Sequence, residues 1–247
     1  MARRANEHGS ADEFAIDVPP HGTTTGLLYS SDAVKTPSRC TLILAHGAGA
    51  GQASPFMVGF ARALANLGLD VVTFNFLYIE QRRRMPDRPP VLESCYLAAI
   101  DAVVKRVESA RHLFIGGKSM GGRIATQVAA ADASLPIAGL VLLGYPLHPP
   151  GRPDQRRDRH LPALRSPALF IQGGRDAFGT PSELKPAIAA LGEKATIHEI
   201  DGGDHSFKVR ATGAAAQAAI YEDIQRAIAA WTARIIDTSA PGLRRST

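Results

Sequence analysis

From residue 41 onward, short apolar runs alternate with longer stretches of helical periodicity, and this alternation restricts the fold more than any other feature. The segments 41–46 (TLILAH), 71–76 (VVTFNF), 113–117 (LFIGG), 140–144 (LVLLG), 168–173 (ALFIQG) and 196–200 (TIHEI) are short, rich in β-branched or aromatic residues, and for the most part continuous in apolarity. Continuous apolarity in so short a run marks a strand covered on both faces, as in a parallel sheet between two helical layers. The stretches between them predict helices over 55–67, 91–110, 120–132, 182–191 and 213–236. For 182–191 the expected cap is Ser182 and the expected stop is Gly192, with Pro186 weakening the first turns. Upstream, 14–18 and 25–30 flank a Pro-Pro turn and read as an antiparallel pair. The pattern is that of the α/β class: a mostly parallel eight-stranded sheet with helices on both faces. No repeat or domain-scale linker interrupts it. One domain is therefore expected over 14–237, between a flexible N-terminus (1–13) and a flexible C-terminal tail (238–247).

Composition narrows the functional classes. Of 247 residues, 45% are hydrophobic and 21% charged, enough for a sizeable core in a soluble protein. The opening residues lack an apolar signal core, and no apolar run approaches the roughly 20 residues of a membrane span. A cytoplasmic protein with no membrane partner is the expectation. Cys40 and Cys95 form no CxxC pair and no metal spacing, and read as small buried hydrophobes. The net charge of +5 raises nucleic-acid binding. That charge, however, is confined to two loops. Residues 81–88 carry four Arg and one Asp, and residues 150–165 carry five Arg and two Asp. With aromatics at 6% and no recognition motif, a nucleic-acid partner is disfavoured.

The stretch GGKSMGG (116–122) supports two incompatible readings. Gly117-Lys118-Ser119 could end a phosphate-binding loop, but the first glycine of that motif is missing, because position 112 is His. The glycine-rich HGAGAGQ (46–52) likewise lacks the third glycine of a dinucleotide site. The alternative, Gly117-x-Ser119-x-Gly121, is a turn that presents a nucleophilic serine between a strand and a helix. The strand LFIGG and the helical MGGRIATQVAAA supply that context. A serine on such a sharp turn needs small residues two places either side.

Serine needs a base, and the base needs a group to hold it. In this architecture the order is Ser, acid, His, each at the C-terminal end of a strand. Asp176 follows the ALFIQG strand and His205 follows TIHEI. Asp204 and Asp201 are alternative acids. Asp204 directly precedes His205, and adjacent side chains rarely point at each other. An acyl-transfer intermediate also needs amide donors for its oxyanion. Met120 is one candidate. Ala48 in the HGAGAG loop is the other, with Gly47 as runner-up, while His46 reads as a packed supporting residue.

Together HGxGxG, GxSxG, GxxD and GxxHxF, in order across 41–236, resemble the α/β-hydrolase superfamily. The segments AHGAGAG, GGKSMGGR, GYPLHPPGRP and IQGGRDAFGTP are similar to its dienelactone-hydrolase-like branch, which includes testis-expressed protein 30 and NSL-complex subunit 3 type domains. Dienelactone hydrolases proper carry a cysteine nucleophile where this chain has Ser119, so their substrate does not carry over. The resemblance implies a serine hydrolase acting on small soluble esters or related acyl compounds. No cofactor or metal is called for. Some members of the branch serve as complex subunits, so a non-catalytic interaction module is the alternative. The Pro-rich segment 145–167 is too short for a helical lid. Tyr145, His148, Gly47, Arg83 and Arg157 are candidate substrate-binding residues, the arginines favouring anionic acyl substrates. The oligomeric state is not written in the sequence.

Overall fold

The computed structural model describes residues 11–106, 111–210 and 213–239. A hairpin of β1 (Asp12–Val18) and β2 (Gly22–Tyr29) opens the fold. Next, β3 (Cys40–Ala45) passes through α1 (Pro55–Asn66) to β4 (Asp70–Phe74). A short α2 (Leu77–Glu80) and a long α3 (Pro89–Arg106) lead to β5 (His112–Lys118), α4 (Met120–Ala131) and β6 (Gly139–Leu143). The chain closes with β7 (Ala168–Gly173), α5 (Pro181–Ile188), β8 (Ala195–Ile200) and α6 (Ala214–Ser239).

The eight strands form one sheet in the order β1-β2-β4-β3-β5-β6-β7-β8. From β4 through β8 every pairing is parallel, and only β1–β2 and β2–β4 are antiparallel. All six residues of β3 are buried, so it is covered on both faces. Its Ile43 joins Tyr96 of α3 and Ile124 of α4 on one face, while Leu42 and Leu44 join Phe60 of α1 and Trp231 of α6 on the other. At the edge, β1 alternates: Phe14, Ile16 and Val18 are buried while Glu13, Ala15 and Asp17 are exposed. One covered face gives alternation, and two give a continuous apolar run. Cys40 and Cys95 are free and buried, and burial pushes both thiols up to about 12, away from reactivity.

The fold is that of a single-domain α/β hydrolase without a separate lid. Between β6 and β7 the only helical piece among the described residues is a single turn, Leu161–Ala163. Three local expectations are corrected. The cap of α5 is Thr180, whose side chain and Glu183 form a reciprocal capping box; Ser182 lies inside the helix. Gly192 does not stop that helix, which ends at Ile188 and passes into a 3-10 stretch over Ala189–Lys194. Pro186, with no N–H to give, shortens it. The ends also extend: β1 starts at Asp12, and α6 reaches Ser239. The remainder of both expected flexible ends (1–10 and 240–247) lies outside the described residues, as does 107–110 of the expected helix 91–110.

The sheet order places the site. From β3 the chain turns one way to β4, then returns to lay β5 on the other side of β3. Connections therefore diverge between β3 and β5, and they leave a crevice at the strands' C-terminal edge. Ala45 at the end of β3 is in register with Gly117 of β5, two residues before Ser119.

Candidate active site

Ser119 sits between β5 and α4 with φ 52° and ψ −114°, a backbone conformation that costs energy in any non-glycine residue. It is held there from both sides. Its N–H donates to Leu143 O at 2.9 Å, and its carbonyl accepts the Arg123 N–H at 3.0 Å. The flanking glycines are set by the neighbouring strand as much as by the turn. A Cβ on either Gly117 or Gly121 would stand 2.5 Å from Ala45 O of β3.

The Ser119 hydroxyl lies 2.8 Å from His205 Nε2, and His205 Nδ1 lies 2.8 Å from Asp176 Oδ2. Asp176 is only 1% exposed. Its Oδ2 also accepts from Gln172 Nε2 at 2.9 Å, and its Oδ1 accepts the Phe178 N–H at 2.8 Å. A carboxylate facing Nδ1 places the proton there and leaves the Nε2 lone pair facing the serine hydroxyl. The Phe178 ring stacks on the imidazole at 4.1 Å between centroids. The half-buried Lys118 donates from Nζ to the His205 backbone carbonyl at 2.5 Å. Burial pushes the Lys118 ammonium down to about 8, against the opposing pull of Asp176 and Asp204. Asp204 is engaged elsewhere, its Oδ1 taking the N–H groups of Ser206 and Lys208 at 2.7 and 2.9 Å. Such a chain can draw the proton from Ser119 as its oxygen attacks an acyl carbon.

The HGAGAG loop is fixed by His46, which is fully buried. Its Nε2 accepts the Phe76 N–H at 3.0 Å, so its Nδ1 carries the proton and donates to Gly47 O at 2.7 Å. Burial pushes its pKa down to about 4, which keeps the ring neutral. A trans peptide points its C=O and N–H in opposite directions. With Gly47 O turned to His46, the Ala48 N–H is turned away from it. Tyr78 OH donates to Ala48 O at 3.0 Å and holds the next peptide. Met120 follows Ser119 as the first residue of α4, where N–H groups lack intrahelical acceptors.

Above these groups lies a cavity of about 1070 Å³. Its wall includes Gly47, Ala48, Ser119, Met120, His205 and Arg157. Three of the five substrate-binding candidates are not among its lining residues. Tyr145 is buried and donates to Arg157 O at 2.8 Å, so it supports the loop rather than facing the cavity. His148 is buried against Pro149 O and Glu183. Arg83 pairs with Asp87 at 2.6 Å and with Gln81. Sequence reasoning passed over Lys118, Arg123 and Phe178, all of which line the cavity. Arg123 had a readable signal, since it stands one helical turn beyond the serine.

The alpha/beta hydrolase domain family matches this chain over residues 38–233. Solved structures agree with the fold. A lidless α/β serine hydrolase from Xanthomonas campestris is similar at TM-score 0.70 and 20% identity, covering 90% of this chain and 95% of its own. A serine hydrolase homologue from Coxiella burnetii is similar at TM-score 0.70 and 19% identity, over 90% of this chain and 100% of its own. The dienelactone hydrolase of Anabaena variabilis is similar at TM-score 0.65 and 20% identity, over 93% of this chain and 98% of its own. With the family match spanning most of its length, the chain belongs to the alpha/beta hydrolase domain family.

Proposed function

We propose that this protein is a serine hydrolase that cleaves small esters or related acyl compounds through Ser119, His205 and Asp176. The reading is carried by the unbroken hydrogen-bonded series Asp176–His205–Ser119 ending on the wall of an open cavity. His205 Nε2 takes the Ser119 proton as Oγ bonds to the acyl carbon. The carbonyl electron pair moves onto oxygen, and the N–H groups of Ala48 and Met120 are the donors we assign to receive it. As the intermediate collapses, the bond to the leaving group breaks and His205 returns the proton to that group. Water then repeats the sequence on the acyl-enzyme, giving its proton to His205 and freeing the acid and Ser119. Asp176 keeps Nδ1 protonated and offsets the imidazolium charge. The short β6–β7 connection, with its single helical turn, leaves the cavity open to small substrates in bulk solution. Within the family, the motif run from AHGAGAG to IQGGRDAFGTP supports a reading of the chain as similar to the dienelactone-hydrolase-like branch of testis-expressed protein 30 and NSL-complex subunit 3 type domains, and we take it to act in the cytoplasm. Purified protein, screened against acetate, butyrate and thioester substrates beside its Ser119→Ala variant, tests the activity. Turnover that vanishes in the variant is expected. A fully folded wild type that cleaves none of them contradicts the reading.

A further inference from the structure

The cavity wall is lopsided in charge. Lys118, Arg123, Arg157 and Lys208 line it, against a single carboxylate, Asp87. That carboxylate is already paired with Arg83 at 2.6 Å. Lys118 is committed to the His205 carbonyl. The two arginines are different. Arg123 projects from the first turn of α4, about 6 Å along the helix axis from Ser119. Its one side-chain hydrogen bond among the described residues goes to a neutral group, Gln127 Oε1, at 3.2 Å. Its Nε is buried without a partner. Arg157 stands close enough to push the Arg123 guanidinium down, after burial the largest influence on it, and Tyr145 and Glu93 only partly oppose this. Neither arginine forms an ion pair among the described residues. The Arg157 backbone is nevertheless fixed: its N–H donates to Leu147 O at 2.8 Å, and its carbonyl accepts from Tyr145 OH. Two guanidiniums on one cavity wall, near enough to interact, repel each other, and the buried one has lost hydration. An anion between them would offset both costs, and the planar fork of each matches a carboxylate.

We infer that Arg123 and Arg157 form a carboxylate-binding subsite beside Ser119, and that the substrates are esters bearing a free carboxylate within a few bonds of the scissile carbonyl. The inference rests on the hydrolase reading and adds its substrate class. It also moves the anion preference away from the exposed arginines of 82–88. Arg83 closes on Asp87 and Gln81 instead of facing the cavity.

The test compares kcat/KM for monoethyl glutarate with that for its neutral amide isostere, ethyl 4-carbamoylbutanoate, by ethanol release. A second arm places the carboxylate on the leaving group, comparing O-acetylglycolate with O-acetylglycolamide. A preference for the anion on the order of 10-fold or more in either arm is expected. It should shrink as salt shortens the Debye length from about 10 Å at 0.1 M to about 3 Å at 1 M. Arg123→Met and Arg157→Met should each cut the anion-to-amide ratio roughly 10-fold. Arg123→Lys, which keeps the charge and loses the fork, should fall between and guards against a folding artefact. Arg84→Gln, at an exposed arginine of the 82–88 loop that does not line the cavity, should leave the ratio as it is. Equal rates for acid and amide in both arms, with Ser119 still labelled by a fluorophosphonate, overturn the subsite and leave the hydrolase standing. No cleavage and no labelling overturn both.

Discussion

Two walls of one cavity are built on opposite terms. At the first, every polar atom of the Asp176 and His205 side chains has a partner: Gln172, the Phe178 amide, each other and Ser119. At the second, Arg123 keeps a bare Nε on a wall that also carries the Arg157 cation. A saturated wall has one low-energy arrangement, which suits groups that must stay in register while bonds change. An unsatisfied wall stores an electrostatic cost that something from solution can relieve. The contrast separates where the chemistry happens from what is selected for it. Substitutions in the first wall should act on the rate for all substrates alike. Those in the second should change the ranking among substrates.

The largest effect belongs to the first wall. Ser119→Ala should lower kcat by about 10⁴–10⁶-fold on every ester tested, in a chain whose thermal unfolding stays cooperative. A variant that turns over like the wild type removes the nucleophile from Ser119. Next comes the acid. Asp176→Asn should cost up to about 10⁴-fold in kcat, because the amide favours the wrong imidazole tautomer and the imidazolium loses its counter-charge. Asp204→Asn removes only a turn acceptor and should cost far less. The reverse ranking, measured on one neutral ester, would reassign the acid.

Smaller effects follow. The roughly 10-fold loss in anion-to-amide ratio for Arg123→Met or Arg157→Met sharpens the contrast if neutral esters are affected less. Equal losses on both substrates would instead place the arginines in the general framework of the site. The smallest effect is on stability. Lys118 titrates at about 8 when folded, against 10.5 in its ordinary state, so from about pH 8 to 10.5 the unfolded chain holds a proton that the folded chain has lost. Stability from this group therefore rises with pH across that window and is fully present only above it. The stability of Lys118→Met relative to wild type should accordingly fall, on the order of 1–2 kcal/mol, as pH goes from 7.5 to 10.5. Urea unfolding of both proteins at several pH values measures this. A constant difference would mean that the lysine titrates alike in both states.

What the sequence disclosed was what local pattern and chain order determine. Five of the six parallel-sheet strands, β3 to β7, were legible as apolar runs because both of their faces are covered; β8, a half-buried edge strand, was read from its position in the alternation, and the sheet they form is the one expected. Ser119, Asp176 and His205 could be picked out because each follows a strand, and the structure brings the three within hydrogen-bonding reach. Side-chain direction within a loop was not legible. Tyr145 and His148 follow β6 at the right edge, yet Tyr145 packs on Phe170 and His148 on Glu183. The two arginine loops have nearly the same composition, but Asp87 captures Arg83 four residues away while Arg157 reaches the cavity. Arg123 stayed hidden because its meaning depends on Arg157, a neighbour only in the folded chain. The cap of α5 was misassigned because Thr180 and Ser182 are both good caps, and only the Glu183 carboxylate, reaching back to the Thr180 N–H, decides between them.

The central claim is that Ser119 is an activated nucleophile within a hydrogen-bonded series, and one measurement reaches it without knowledge of the substrate. The protein is incubated with a fluorophosphonate, digested, and the adduct located by mass spectrometry. The account predicts a single adduct on Ser119, absent from Ser119→Ala and from His205→Gln. No adduct on folded protein, or labelling of Ser119 that survives His205→Gln undiminished, would contradict it.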